Sequence, residues 1–592
     1  MEDPQTYSTS EDSQRPERKS RWHRIRLIEN LDEMLGFFSP AERALLYFLS
    51  IVLALSTAAL LININVNTTE EVASYGDSLT EGVVGTPRFI NPLLAASDTD
   101  RDLTELVYSG LMRPTPEGTF IPDLAEQYKI SEDGRTYTFV LREDVTFHDG
   151  RPVTSTDIAY TIHLAQSPDI KSPKRADWEG VAVNEIDERT ISFTLPRAYA
   201  PFLENTTLGI LPFHLWEQVT PGEFPFHNLN TRPVGTGAYR VDSVRTDKSG
   251  SPTHYIFKSF SDFALGRPYL STIEFRFYPN EQSLISGFNN RDIESASGIS
   301  PANLSEINLK KSAIHQTALP RVFAIFLNQN GSEAFSDKRV RQALDIVLDK
   351  QKVVDTSLGG YGEVLGGPIP PQVLVTKTIE GPAAYDKEVN ISKAKSLLDA
   401  AGWEKNESTG MWEKDDTALS FAIKTSDTPE LVATAEEVVR QWQEFGIDVT
   451  IEVFAAGNLN TSVIRPREYE ALLFGEIVGR TLDLFAFWHS SQRSDPGLNL
   501  ALYTNSKADS LLSEARIETD IETREEKFVA FEDIVREDAP AVFLYAPEFL
   551  YITPENLKGV SLGALTTPAE RFLTVHTWHT QTERVWSIFT KN

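Results

Sequence analysis

The chain has 592 residues, 41% apolar and 24% charged, with a formal net charge of −29. That length exceeds what one hydrophobic core supports, so several domains are expected. The negative excess argues against nucleic acid as a partner, because phosphates need a basic surface. The absence of cysteine excludes disulfides, thiolate nucleophiles and cysteine metal sites.

Residues 1–15 are polar and patternless, the composition of a disordered tail. Arg18, Lys19, Arg21, Arg24 and Arg26 form a basic cluster. Leu27, Leu31, Leu35 and Phe38 then fall along one side of a short amphipathic helix over 27–38. From Ala44 to Ile62 no residue is charged, and that run spans roughly 30 Å as a helix, enough for one bilayer crossing. A cleaved signal peptide is the competing reading, but its apolar region is usually about 7–15 residues and its leader shorter. The preceding basic residues put the N-terminus in the cytoplasm. Residues 1–43 are thus expected as a cytoplasmic tail, 44–62 as a transmembrane anchor and 63–80 as a linker.

Asp98-Thr99-Asp100 caps an expected helix bearing Leu103, Leu106, Val107 and Leu111, with Tyr108 on or beside it. Between 135 and 141 the sequence alternates: Tyr137, Phe139 and Leu141 point one way, Thr136, Thr138 and Val140 the other. Glu132-Asp133-Gly134 before it and His148-Asp149-Gly150 after it read as turns. Thr154 with Asp157 three residues on forms a capping box for a helix buried through Ile158, Thr161, Ile162 and Ala165. His214 and His227 have no ligand spacing.

Pro233-Val234-Gly235-Thr236-Gly237-Ala238-Tyr239 lacks the third glycine of a dinucleotide fingerprint and runs into strand-like residues. Its glycines are expected to permit a strained backbone where the chain passes between domains. Arg321 to Asn328 reads as a buried strand, and Ser336-Asp337 caps the helix that follows. Ser392-Lys393-Ala394-Lys395 fits the serine-acylase spacing, but it lies on the outer face of a helix and has no Ser-Asp-Asn or Lys-Thr-Gly partner. A strand over 419–423, a helix opened by Thr428-Pro429 and stopped by Gly446, and a strand over 447–453 make a βαβ unit, hence parallel sheet.

Several strings together resemble the extracytoplasmic solute-binding proteins of peptide- and nickel-type ABC importers, family 5. The longest runs from Asp123 to Ile162: Leu124-Ala125, Tyr128, Ile130-Ser131, Asp133-Gly134, Tyr137, Phe139, Leu141-Arg142, Phe147-His148-Asp149-Gly150, Pro152, Thr154 and Asp157 each stand at a fixed family position. Gly82–Pro92, Pro233–Tyr239, Phe263–Leu270, Asp337–Leu344 and Ala539–Tyr545 resemble further family elements, in the family's order. The resemblance implies a mixed α/β (α+β) periplasmic-binding-protein-like fold of two lobes with an extra inserted domain, preceded here by one transmembrane helix. Lobe I is expected from 81–120 with 232–320 and 536–592, the insert from 121–231 and lobe II from 321–535. Many such receptors are tethered through a lipidated cysteine; in this chain the helix itself would be the tether.

The same resemblance places a ligand in the interlobe cleft. Asn91 and Tyr108 belong to a region that often lines one wall, with core packing the alternative for Tyr108. Leu472–Tyr503 holds the other candidates: Glu476, Arg480, Asp483, Trp488, His489 and Asn499. Family members usually carry Asp-Pro-Asp beginning two residues before Asp483. Thr481-Leu482-Asp483 matches only at its end, which departs from a peptide receptor's ammonium site. Arg480 offers a carboxylate fork and Trp488 a flat apolar contact; equally, Trp488 is core and Asp483 a helix cap.

The expected function is a membrane-anchored extracytoplasmic receptor, monomeric, that takes oligopeptides or similar small solutes to an ABC permease and its ATPase subunits. A transmembrane ligand sensor is the alternative, although residues 1–43 show no signalling domain. An extracellular hydrolase would need a nucleophile or metal set, and HExxH, GxSxG and a phosphate loop are all missing. No enzyme activity, cofactor or metal is expected.

Overall fold

The structure, a computed structural model, describes residues 38–370 and 372–586. The polar tail, the basic cluster Arg18–Arg26 and all but the last residue of the amphipathic stretch 27–38 lie outside the described residues. The described residues form two compact units, residues 38–72 with 582–586 and residues 73–581.

The first unit contains the helix Pro40–Thr68. Ser39 caps it, its backbone N–H donating to Glu42 at 2.8 Å, and Pro40 begins the first turn, where a missing N–H costs nothing. The stretch Pro40–Asn63 is long and apolar enough to cross a bilayer, and a signal sequence meets the same description. Strands Thr69–Ala73 and Thr582–Trp586 pair as a two-stranded sheet.

The second unit is built on a twelve-stranded sheet. Its central strand, Ala541–Pro554, pairs antiparallel with Arg321–Leu327 and Gly362–Val364 through its first half. Through its second half it pairs with Ser312–Ala318 and Ser295–Ser297. Outward from Arg321–Leu327 lie Ala471–Ile477, then Ser420–Ser426 and Asp448–Phe454, the last three mutually parallel. Outward from Ser295–Ser297 lie Gly76–Val84 and Leu270–Tyr278, also parallel, and then the hairpin Pro252–Ser259 and Tyr239–Thr246.

The expected βαβ unit is Ser420–Ser426, helix Pro429–Phe445 and Asp448–Phe454. The helix buries Leu431, Ala435, Val438, Trp442 and Phe445 against the sheet, and Gly446 ends it at φ 104°. A separate four-stranded sheet carries the alternating strand Thr136–Leu141, with Tyr137, Phe139 and Leu141 fully buried. Gly134, at φ 67°, turns the chain into it. Helix Ser155–Gln166 has the expected capping box, Thr154 N–H donating to Asp157 at 2.8 Å.

Two local expectations are corrected. Ser97, not Asp98, caps helix Asp98–Val107, and Asp100 completes the box. Gly235 and Gly237 are not strained: neither has positive φ. They are glycine because the end of that helix presses on them. A Cβ at Gly235 would sit 2.1 Å from the Val107 carbonyl oxygen, and one at Gly237 2.5 Å from that of Leu106.

One buried ion cluster ties distant parts of this unit together. Arg571, from the turn Pro568–Phe572, donates to Asp102 at 2.7 Å and to Glu81 at 3.0 Å, with no side-chain exposure of its own. Tyr551 of the central strand also donates to Glu81, at 2.9 Å. Arg571→Leu leaves two buried carboxylates without a counter-charge, and urea denaturation should show a loss of about 3–5 kcal/mol. Replacing all three by apolar residues, E81L/D102L/R571L, should restore most of that loss, because no buried charge is then left alone.

Candidate functional site

In open sheets with parallel strands, ligands bind beyond the carboxyl ends of those strands, where helix N-termini gather. Gly76–Val84 ends at Val83 and Val84, and the helices Asp98–Val107 and Glu281–Asn289 begin nearby. On the other half of the sheet, Ser420–Ser426 is followed by the start of Pro429–Phe445. Residues from strand Gly76–Val84 and from the starts of the three helices, Val84, Asp98, Glu281, Thr428 and Glu430 among them, line one cavity of about 720 Å³. The central strand contributes Tyr545 and Pro547–Leu550, and its neighbour contributes Arg321 and Phe323.

The charges in this lining divide by whether a protein partner holds them. Asp102 is bound by Arg571. Glu281 accepts from the Ser300 N–H at 2.7 Å and its hydroxyl at 2.9 Å. Arg321 differs: its Nε is buried with no hydrogen-bond partner among the described residues. Burial pulls its guanidinium below the ordinary range, and Asp98 only partly offsets this. Asp98 is paired with Arg101 at 3.0 Å, whereas Glu548 is pushed upward by burial alone. Phe323 stacks on Tyr545 with centroids 5.3 Å apart, giving the cavity a flat aromatic wall. A guanidinium and carboxylates facing one space beside stacked rings suit a ligand bearing both charges and an apolar body.

The sequence candidates lie elsewhere. Arg480 lines a separate cavity of about 300 Å³, and its guanidinium donates to the Thr115 carbonyl at 3.1 Å and to the Glu570 carboxylate. Beside it the Thr481 hydroxyl donates to Glu204. Asp483 is paired with Arg516 at 2.7 Å and accepts from the Tyr199 hydroxyl at 3.1 Å.

Trp488 is buried against Phe326, Phe543 and Tyr503. Glu476 is buried beside it, with both carboxylate oxygens unpartnered among the described residues. Burial pushes that carboxyl well above its usual range. His489 stacks on Phe485 at 4.0 Å and accepts from the Ser491 N–H at 3.1 Å. Asn499 clamps its own loop, donating to the Tyr503 carbonyl and accepting from the Tyr503 N–H, both at 3.0 Å. Asn91 does the same for a turn, donating to Asn230 and accepting from the Leu93 N–H, both at 2.9 Å. Tyr108 is buried with its hydroxyl unpartnered among the described residues. None of these eight lines the larger cavity.

Residues 119–520 match the family model described as bacterial extracellular solute-binding proteins, family 5 Middle. The chain belongs to that family. It is a solute receptor of the ABC-importer class, and family 5 proteins are not enzymes. The family receptor is 28% identical over 494 residues to the oligopeptide-binding protein AppA of Bacillus subtilis, covering 82% of this chain and 89% of that one. The solved structure of that AppA with a nonapeptide is similar at TM-score 0.63 and 25% identity, over 86% of this chain and 99% of the other. NikZ of Campylobacter jejuni, solved with Ni(L-His), is similar at TM-score 0.65 and 26% identity, over 85% and 99%.

Sequence reasoning passed over Arg321, Phe323, Glu430 and Glu548 in this receptor. A signal was present: Arg321 opens a strand that is otherwise apolar, and Glu430 follows the Thr428-Pro429 helix start. The Arg480–Glu570 pair gives a direct check on the contrary assignment. Arg480→Ala leaves Glu570 in a buried setting without its cation, so thermal unfolding should show a loss of about 3 kcal/mol. The double variant R480M/E570Q should unfold close to wild type.

Proposed function

We propose that this protein is a membrane-anchored extracytoplasmic receptor that binds oligopeptides or similar zwitterionic solutes in the cavity of about 720 Å³ and delivers them to an ABC permease. On this reading the cavity is the cleft between two lobes. Lobe I comprises 81–120, 232–320 and 536–592, with 121–231 inserted in it, and lobe II comprises 321–535. A solute touching both sides favours the closed arrangement by its greater affinity for it. Residues 44–62 are the anchor, with residues 1–43 in the cytoplasm.

The observation that carries this reading is the buried Arg321 Nε without a partner in a lining that also holds Glu430 and Glu548. Arg321 receives the ligand carboxylate, and the two glutamates receive its ammonium. That the AppA relative was solved with a nonapeptide supports a peptide as cargo.

Calorimetry of the detergent-solubilised full chain against pools of short peptides tests it. Saturable binding is expected, weakened about ten- to hundredfold in R321Q, because a charge-assisted hydrogen bond contributes roughly 1.5–3 kcal/mol. A flat response to peptides alongside binding of another solute would reject the peptide assignment. The anchor has its own check. N-terminal sequencing of the membrane-bound protein should find the chain uncleaved between the basic cluster and Asn63; a mature chain beginning after Ile62 would make the helix a signal sequence.

A further inference from the structure

The first unit holds a sheet without a core. Strands Thr69–Ala73 and Thr582–Trp586 pair with each other, with no third strand among the described residues. Neither strand contains a fully buried residue. A two-stranded sheet of this kind is marginal in water unless something packs on it. Its neighbour in the chain is the helix Pro40–Thr68. Thr69 takes up extended backbone directly at the helix end, its N–H still donating to the Asn65 carbonyl, so helix and strand join without an intervening residue.

Two contacts set the direction of the pairing. Arg584 meets Glu71 at 3.6 Å, and the Ser74 N–H donates to the Gln581 carbonyl at 3.0 Å. The strands therefore run antiparallel, and Trp586 comes to the end of the sheet where Thr69 leaves the helix. Trp586 is half exposed there. No charged residue occurs between Arg43 and Glu70. As helix that run is roughly 39 Å long, against about 40–45 Å for a whole bilayer with its headgroup layers. With the helix spanning, Thr69 and Trp586 lie in the outer headgroup layer. That layer is where tryptophan gathers in membrane proteins, its ring toward the apolar side and its N–H toward the polar one. The charges of the sheet argue against an electrostatic attachment. Glu70, Glu71 and Glu583 outnumber Arg584, and anionic headgroups would repel them.

Resting on the reading of residues 44–62 as the anchor, we propose that strand Thr582–Trp586 is a second membrane contact, in which Trp586 enters the outer headgroup layer of a zwitterionic lipid surface beside the exit of the helix. The ring loses its exposure to water on entering that layer. The ladder to Thr69–Ala73 keeps the facing backbone N–H and C=O groups of both strands paired where water is scarcer. The membrane then holds the chain at two places far apart in sequence, the helix and Trp586. What the peptide cargo is, and where it binds, does not enter this assignment.

The test reconstitutes the full chain into phosphatidylcholine vesicles in which part of the lipid is brominated high on its acyl chains, so that it quenches nearby tryptophan. The wild-type chain should show a quenched emission component that W586F lacks, at low and at high salt alike. Identical quenching of wild type and W586F, in a chain that floats with the vesicles, overturns the proposal and leaves the anchor standing. Loss of the wild-type component at high salt also overturns it, since the contact would then be electrostatic. A chain that does not float with the vesicles removes the anchor and the proposal with it. Should W586F fail to fold by thermal melting, spin labels decide the matter. T582C and W586C each introduce the only thiol, and the label at 586 should be more accessible to oxygen, and less accessible to a water-soluble nickel chelate, than the label at 582. Equal accessibility at the two positions overturns the proposal.

Discussion

The body of this receptor depends on one strand, Ala541–Pro554, being shared by everything around it. Successive side chains of a strand point to opposite faces, and here the faces also change owner along the strand. Val542, Leu544 and Tyr545 enter one core, and Ala541, Phe543 and Ala546 the core on the opposite face. After Pro547 and Glu548, which are only half-buried, Phe549 and Tyr551 enter a third core and Leu550 and Ile552 a fourth. Four hydrophobic clusters therefore rest on fourteen residues. The two halves of the sheet are held in fixed hydrogen-bond register to a common element, and that register points their parallel strands' carboxyl ends at one space.

Charge placement in the body follows a simple rule. A cation taken out of water is stable when several acceptors replace its hydration. Arg113 meets Asp123 at 2.8 Å and Glu105 at 3.2 Å. Arg341 donates to the carbonyls of Phe335 and Asp538 at 2.6 and 2.7 Å, so it joins two segments and is not available to a ligand. Arg571 has two carboxylates. Against this background Arg321 stands out: its Nε is buried and unpartnered, as that of Arg571 is, but its guanidinium has no carboxylate or carbonyl partner among the described residues. In a solute receptor, a group left incomplete by the protein is a group available to cargo. The departure from the family's Asp-Pro-Asp run has a physical counterpart as well. Thr481 serves Glu204, and Asp483 serves Arg516 and Tyr199, so that loop is engaged by the protein itself.

What was legible in the sequence was what is decided within a few residues. The Thr154–Asp157 box, the alternation at Tyr137–Leu141, the Pro429 start and the Gly446 stop all rest on neighbours along the chain, and all are present. Gly235 and Gly237 were misread because their constraint comes from Leu106 and Val107, which contact them only in the folded molecule. The candidate site was legible only in part for the same reason. Trp488, Asn91 and Asn499 are residue types that ligand sites use, but loops and cores use them too, and only the fold shows which partners they found. Conversely, the sequence shows Arg321 only as a cation at the start of an apolar strand, and that it lacks a partner shows in the fold alone.

The central claim is that a solute in the larger cavity draws its two walls together. The absence of cysteine makes this directly measurable, since A302C and D427C introduce the only thiols and lie beside Pro301 and Thr428 on the cavity lining. Spin labels at these positions report the distance across the cavity by pulsed electron resonance. The account predicts a shorter distance at saturating peptide, and no shortening when R321Q is added to the pair. An unchanged distance in a chain shown to be saturated with peptide would contradict it.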